Sequence, residues 1–163
     1  MSGVGLSIEL VKRLRLAYPQ TIVGIKDSSG NWENMVGIAQ NVSDFKVYSG
    51  TETYLLETLL NGGAGCITAT ANLIATECQQ VFQDWKNGLL EDAKQKQKKL
   101  TSMRKAFESY PFVSGLKSIF ADQKDSNEWR HLMPPFGLLM EDQLSLLKEK
   151  VEDLGLDLRK RLN

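Results

Sequence analysis

Lys26 closes the apolar, β-branched run Thr21-Ile22-Val23-Gly24-Ile25 and is followed by Asp27-Ser28-Ser29-Gly30. A lysine so placed has two readings. Directed into a desolvated centre, its pKa falls and the free amine can attack a carbonyl; directed outward, it is a solvated cation paired with Asp27. Gly50, after Tyr48-Ser49, stands where a side chain would obstruct whatever approaches. That suits a ligand carboxylate or carbonyl, and equally a plain turn. Thr68, Thr70 and Asn72 could donate hydrogen bonds into a pocket, with capping of the next helix the favoured account. Cys66 and Cys78 lie twelve positions apart without a CxxC, and His131 is the single histidine. Neither a metal site nor a redox pair is indicated, and both cysteines read as buried small hydrophobes. His131, between Trp129 and Pro134, reads as a packing or surface residue.

These residues need a scaffold, and the hydropathy pattern supplies one. Ser7 is a plausible N-cap for a helix with Leu10, Val11, Leu14 and Ala17 on its apolar side, ending before Pro19. Residues 21–25, without alternation, read as a parallel strand buried on both faces. Asn31 caps a second helix carrying Trp32, Met35, Val36 and Ala39, broken at 41–44. Phe45 to Tyr48 reads as the next strand. Thr51 then caps a helix with Leu55, Leu56, Leu59 and Leu60 inward, and Cys66 to Ala69 reads as the third strand. Three strands with a helix between each pair are βα repetition, which argues for a parallel sheet. The run Gly62-Gly63-Ala64-Gly65 precedes a strand, so it is a helix C-cap and not a phosphate-binding fingerprint.

Beyond residue 72 the pattern is helical. Ile74, Cys78, Val81, Phe82 and Trp85 mark one helix, and a more polar one from Leu90 to about Ser109 has Ala93, Leu100, Met103 and Phe107 as its apolar line. Lys94, Lys96, Lys98 and Lys99 read as its solvated face. A short helix follows Pro111; Pro134-Pro135 implies an extended strap; Leu144, Leu147, Val151 and Leu154 mark the last helix, stopped at Gly155.

The whole chain of 163 residues carries 20 Lys and Arg against 20 Asp and Glu. Zero net charge provides no broad field for nucleic acid or anionic lipid, so neither is an expected partner. No apolar stretch approaches the roughly 18 residues needed to span a bilayer, and the default location is the cytoplasm. The length suits one domain and falls short of a full (β/α)8 barrel, at roughly 200–250 residues. Three parallel strands leave open edges, so the chain reads as part of something larger.

The segments Val23-Gly24-Ile25-Lys26-Asp27-Ser28-Ser29-Gly30, Tyr48-Ser49-Gly50 and Asn61-Gly62-Gly63-Ala64-Gly65-Cys66-Ile67-Thr68-Ala69-Thr70-Ala71-Asn72 resemble the dihydrodipicolinate synthase and N-acetylneuraminate lyase family of pyruvate-type class I aldolases. Three motifs occur in family order, and the Pro134-Pro135 region resembles the family's C-terminal part. The resemblance implies an α/β fold: a partial (β/α)8 TIM barrel, about strands six to eight, followed by a C-terminal helical region. Residues 1–72 would hold the βα units, and 73–163 the last barrel helix and helical region of one continuous domain.

It further implies that Lys26 is the catalytic Schiff-base lysine, with Gly50 and Ile67 as substrate-binding positions for pyruvate or another 2-oxo acid, and no metal or cofactor. The protonated imine acts as an electron sink for C–C bond making or breaking. Family members also carry a carboxylate-binding motif on strand two and a proton-shuttling tyrosine at the end of strand five. None of Tyr18, Tyr48, Tyr54 or Tyr110 matches that tyrosine, and both features belong upstream of this stretch. The expectation is a truncated member with little turnover alone, acting as a homo-oligomer or with a complementary N-terminal barrel portion. The competing expectation is a non-catalytic partial barrel that associates through its exposed strand edges. Within the resemblance, Asp27-Ser28-Ser29 points to a sugar-acid aldolase branch over the biosynthetic synthase branch.

Overall fold

The computed structural model describes residues 5–124 and 127–158. The described residues fall into two compact units, one drawn from Met1–Thr68 with Cys78–Gln97 and the other from Ala69–Glu77 with Lys98–Asn163.

The first unit holds the sheet. Helix α1 (Ile8–Ala17) starts where Ser7 accepts the Leu10 N–H through its side chain at 3.3 Å, as the sequence indicates. It closes in a turn in which the Thr21 and Ile22 N–H groups both donate to Tyr18 O. That turn uses up the residues expected to open the first strand, so β1 is Gly24–Asp27 and Lys26 lies inside it. Asn31 caps α2 (Trp32–Asn41), its side chain accepting the Asn34 N–H at 3.0 Å. β2 (Lys46–Ser49) follows. Thr51 caps a 3-10 turn at Glu52–Tyr54 and not α3 (Leu55–Leu60) itself. β3 is short, Gly65–Cys66, although the Ile67 N–H extends the ladder to Ser49 O at 2.9 Å.

The order is β1-β2-β3, all parallel, with Lys26 opposite Tyr48 and Tyr48 opposite Gly65. One face of this sheet is packed. Val11, Met35, Ile38, Val42, Phe45 and Val47 form a buried cluster, with Ile8, Ile22, Ile25, Trp32, Ala39 and Tyr54 against it. Burying such side chains stabilises by about 1.5–3 kcal/mol each. Leu55, Leu56 and Leu59 are buried as expected, whereas Leu60 is 45% exposed, because the last residue of a six-residue helix has turned away from the sheet.

Helix α3 has no capping side chain of its own. Its second amide, Leu56 N–H, donates to Gln97 Oε1 at 3.0 Å, while Gln97 Nε2 donates to the carbonyls of Glu52 and Thr53 at 3.0 and 3.2 Å. Gln97 belongs to α5 (Leu90–Glu108), which follows α4 (Ala71–Lys86). The apolar line expected for α5, Ala93, Leu100, Met103 and Phe107, is fully buried. On its polar side Lys94 pairs with Glu91 and Lys96 with Asp84.

The second unit is helical. It contains α6 (Phe112–Lys124), a 3-10 turn at Asn127–Arg130 and α7 (Glu141–Asp153). Trp129 stacks on Phe120 with ring centroids 4.6 Å apart, and the Arg104 guanidinium lies 4.1 Å over the Phe112 ring. The strap expected at Pro134-Pro135 is a turn, closed by the Phe136 N–H on Met133 O, and the Leu139 N–H donates to the buried Ser118 hydroxyl. His131 is exposed, and its carbonyl accepts from Lys117 Nζ.

Candidate functional site

The period of two along a strand divides each of β1, β2 and β3 between the faces of the sheet. Ile25 and Val47 face the buried cluster. Gly24, Lys26, Lys46, Tyr48 and Gly65 are on the other face, where Lys26 and Lys46 are exposed and Tyr48 is half-buried. Lys26, Tyr48 and Gly65 form one row across the three strands. A Cβ at Gly65 would lie 3.7 Å from the Tyr48 ring, so the phenol lies alongside β3. By the same alternation Ile67 shares this face, and it is 48% exposed.

Neither sequence reading of Lys26 describes its place in full. The ammonium is not paired with Asp27, whose carboxylate is engaged locally: Oδ1 accepts from the Ser29 N–H at 2.8 Å and the Ser29 hydroxyl at 2.5 Å, and Oδ2 from Asn34 Nδ2 at 3.4 Å. Lys26 makes no ion pair or hydrogen bond among the described residues. Nor is it desolvated by them. Asp27 therefore serves to shape the loop after β1, an Asx turn that hands the chain to the Asn31 cap.

Gly50 answers the question its position raised. The group that approaches it is the chain's own loop: the Gly50 N–H donates to Asp27 O at 2.7 Å, and a Cβ there would lie 2.5 Å from Ser28 Oγ and 2.8 Å from Ser28 Cα. The loops that end β1 and β2 are thus locked together by the absence of a side chain. Ile67 follows on the neighbouring strand end, held by its N–H on Ser49 O.

A residue that sequence reasoning passed over is Glu52, whose side chain is completely buried just beyond Gly50. Thr68 donates to Glu52 Oε2 at 2.6 Å, so its hydroxyl proton is committed to that carboxylate. A buried carboxylate requires such a partner. The one signal in the sequence was an acid in the loop directly after a strand. Thr70 and Asn72 are in the other unit. There Thr70 O accepts the Leu73 and Ile74 N–H groups at the start of α4, and Asn72 Nδ2 donates to Ala69 O.

Cys66 and Cys78 are each half-buried, not the buried hydrophobes expected, and neither is in a disulfide. A hydrogen bond from Cys78 lowers the Cys66 thiol below its ordinary value; burial and the Glu52 charge act against it and do not cancel it. No group of three or more metal-ligating side chains occurs among the described residues, and no helix among them is long and apolar enough to cross a membrane.

The 4-hydroxy-tetrahydrodipicolinate synthase of Listeria monocytogenes is 33% identical over 119 residues, covering 72% of this chain and 41% of that protein. The probable 2-dehydro-3-deoxy-D-pentonate aldolase YjhH of Escherichia coli K12 is 36% identical over 122 residues, covering 72% of this chain and 40% of that protein. Among solved structures, YagE of Escherichia coli K12, a prophage protein of the dihydrodipicolinic acid synthase family determined in complex with pyruvate, superposes with a TM-score of 0.85 at 26% identity. That match covers 95% of this chain and 53% of YagE, so this chain spans about half the length of the relatives it matches. The model of the dihydrodipicolinate synthetase family matches residues 1–154. The α/β sheet and C-terminal helices described above are those of this family, and the chain belongs to it.

Proposed function

We propose that this chain carries the Schiff-base half of a pyruvate-type aldolase or lyase site, with Lys26 as the amine that condenses with the 2-oxo group and Gly50 and Ile67 as the positions that border the bound acid. The observation that carries the reading is the row Lys26-Tyr48-Gly65, which presents the lysine on the face of the sheet away from the buried cluster, beside the locked loops at Gly50. Family membership supports it, as does the pyruvate bound to YagE.

In this reading β1, β2 and β3 are strands six to eight of a (β/α)8 barrel. Residues 1–72 supply its βα units and residues 73–163 its last helix and the C-terminal helical region. Lys26 attacks the 2-oxo carbon as a neutral amine; water leaves, and the iminium draws electrons from the bond being made or broken. Lys26 is exposed among the described residues, so nothing in them encloses the bound acid. Turnover therefore depends on groups outside this sequence that cover this face and supply a proton shuttle and a carboxylate clamp. Acid–base catalysis and electrostatic stabilisation each contribute roughly 10²–10⁴-fold in rate. The chain alone then shows little or no aldolase turnover, in a cytoplasmic setting and without a metal or cofactor. The second reading, a non-catalytic partial barrel that self-associates, is favoured by the exposure of Val23 at 53% together with Ile67 on the same unit.

Borohydride reduction in the presence of pyruvate, followed by peptide mass spectrometry, separates the two. The expected result is a pyruvyl adduct at Lys26 that is lost in Lys26→Ala. Scattered labelling at the level of the surface lysines would leave the non-catalytic reading standing.

A further inference from the structure

The strand that leads to Ile67 is only two residues long, Gly65–Cys66, and Ile67 comes just after it. Its side chain is 48% exposed, so packing does not fix its direction. Hydrogen bonds do. The Ile67 N–H donates to Ser49 O at 2.9 Å, and at the next residue the Thr68 hydroxyl donates to Glu52 Oε2 at 2.6 Å. Ile67 is thus held between a backbone anchor and a side-chain anchor, and the peptide joining it to Thr68 cannot turn without straining one of them.

The acceptor in the second anchor is itself well placed. Gln97 Nε2 donates to the Glu52 carbonyl at 3.0 Å, and the buried Ser49 hydroxyl donates to Thr51 O at 2.8 Å. The Glu52 side chain is completely buried. A buried polar pair seldom stabilises a fold more than apolar side chains of the same shape would. What it adds is direction, because a hydrogen bond fixes an angle and an apolar contact does not.

We infer that Glu52 is a positioning residue of the 2-oxo acid site, whose carboxylate acts through Thr68 to set the backbone of Ile67 beside the bound acid. This role presupposes that Lys26 is the Schiff-base amine proposed above. Glu52 does not itself touch the acid, since its side chain is enclosed and its Oε2 is engaged by Thr68. Two residues of one loop then divide the work. The missing side chain at Gly50 lets the loop after β1 close in, and the carboxylate at Glu52 holds the end of β3.

The test titrates pyruvate against borohydride trapping at Lys26 in the full chain, with the urea midpoint of each variant measured alongside. Thr68→Val keeps the shape and removes the donor. It should raise the pyruvate concentration for half-maximal labelling about tenfold, the scale of one lost hydrogen bond to a charged group. Thr68→Ser returns the hydroxyl and should restore labelling. Glu52→Leu combined with Thr68→Val removes both partners and leaves neither orphaned, so its midpoint should recover towards that of the parent while its labelling stays weak. Labelling that recovers together with the midpoint would mean that the bond serves the fold alone, and would overturn the inference. Equal half-labelling concentrations in Thr68→Val and Thr68→Ser would do the same, and that pair decides should the double variant fail to fold. A parent chain that gives no adduct at Lys26 would sink the Schiff-base reading and this role with it; a labelled parent matched by its variants would sink this role only.

Discussion

The two faces of the three-stranded sheet are built by the same strands to different ends. Towards the helices, Ile25 and Val47 join a cluster in which Ile38 and Val47 are completely buried. On the other side the same residues' neighbours, Lys26, Lys46 and Tyr48, are exposed or half-buried and polar. A period of two along each strand separates the side chains that hold the fold from those that could act on a ligand. Substitutions on one face should therefore leave the other almost untouched.

The strongest challenge to that separation is Ile38→Ala. It removes a fully buried side chain from the packed side and should cost about 2–5 kcal/mol, read as a fall in the denaturation midpoint. A loss below 1 kcal/mol would show that the packed face is not what holds the unit together. Gly50→Ala probes the join between the faces: its Cβ would press on Ser28 and on Asp27 O, at about 1–3 kcal/mol, and should lower any pyruvate labelling of Lys26 as the loops part.

The helical unit sets the scale for a surface contact. Burial pushes the Asp122 carboxyl up, but hydrogen bonds from Lys148 and Gln123 and the charges of Lys148 and Arg130 hold it below the ordinary aspartate value. A depressed carboxyl contributes stability fully above its unfolded value of about 3.9, and the contribution disappears as pH falls through the folded value. Lys148 and Asp122 are 2.7 Å apart and about a third exposed, so the contribution is under about 1 kcal/mol. Asp122→Asn should flatten that acid limb of the stability curve and change little at neutral pH. Lys26→Ala has the smallest expected effect on stability, within about 0.5 kcal/mol. It should nevertheless abolish the borohydride adduct, and a large destabilisation would break the comparison.

Much of this was legible in the sequence. The Ser7 and Asn31 caps, the three strands, the βα order and the apolar line of α5 follow from local rules, because a cap bonds an amide three residues away and a helix face repeats every three or four. The boundaries were less legible. β1 begins late because Tyr18 O captures the Thr21 and Ile22 amides, a competition between a turn and a ladder that hydropathy does not report. For Lys26, Gly50 and Ile67 the positions on strand ends were readable, but the surroundings were not. Asp27 turned to Ser29 and not to the lysine, and the body pressing on Gly50 was Ser28. Glu52 and Thr68 are sixteen residues apart, and their hydrogen bond forms only once the strands they follow are paired. Such pairings are set by tertiary packing, which composition and spacing leave open.

The hydrogen bonds that join Gln97 to Glu52, Thr53 and Leu56 bear on the order in which the unit assembles. The first turn of α3 and the turn before it are completed by a side chain 41 to 45 positions away. Closing so long a loop costs entropy that must be met before the contact forms, so α3 matures only when α5 arrives, and its Leu56 amide becomes a clock for that late docking in hydrogen exchange.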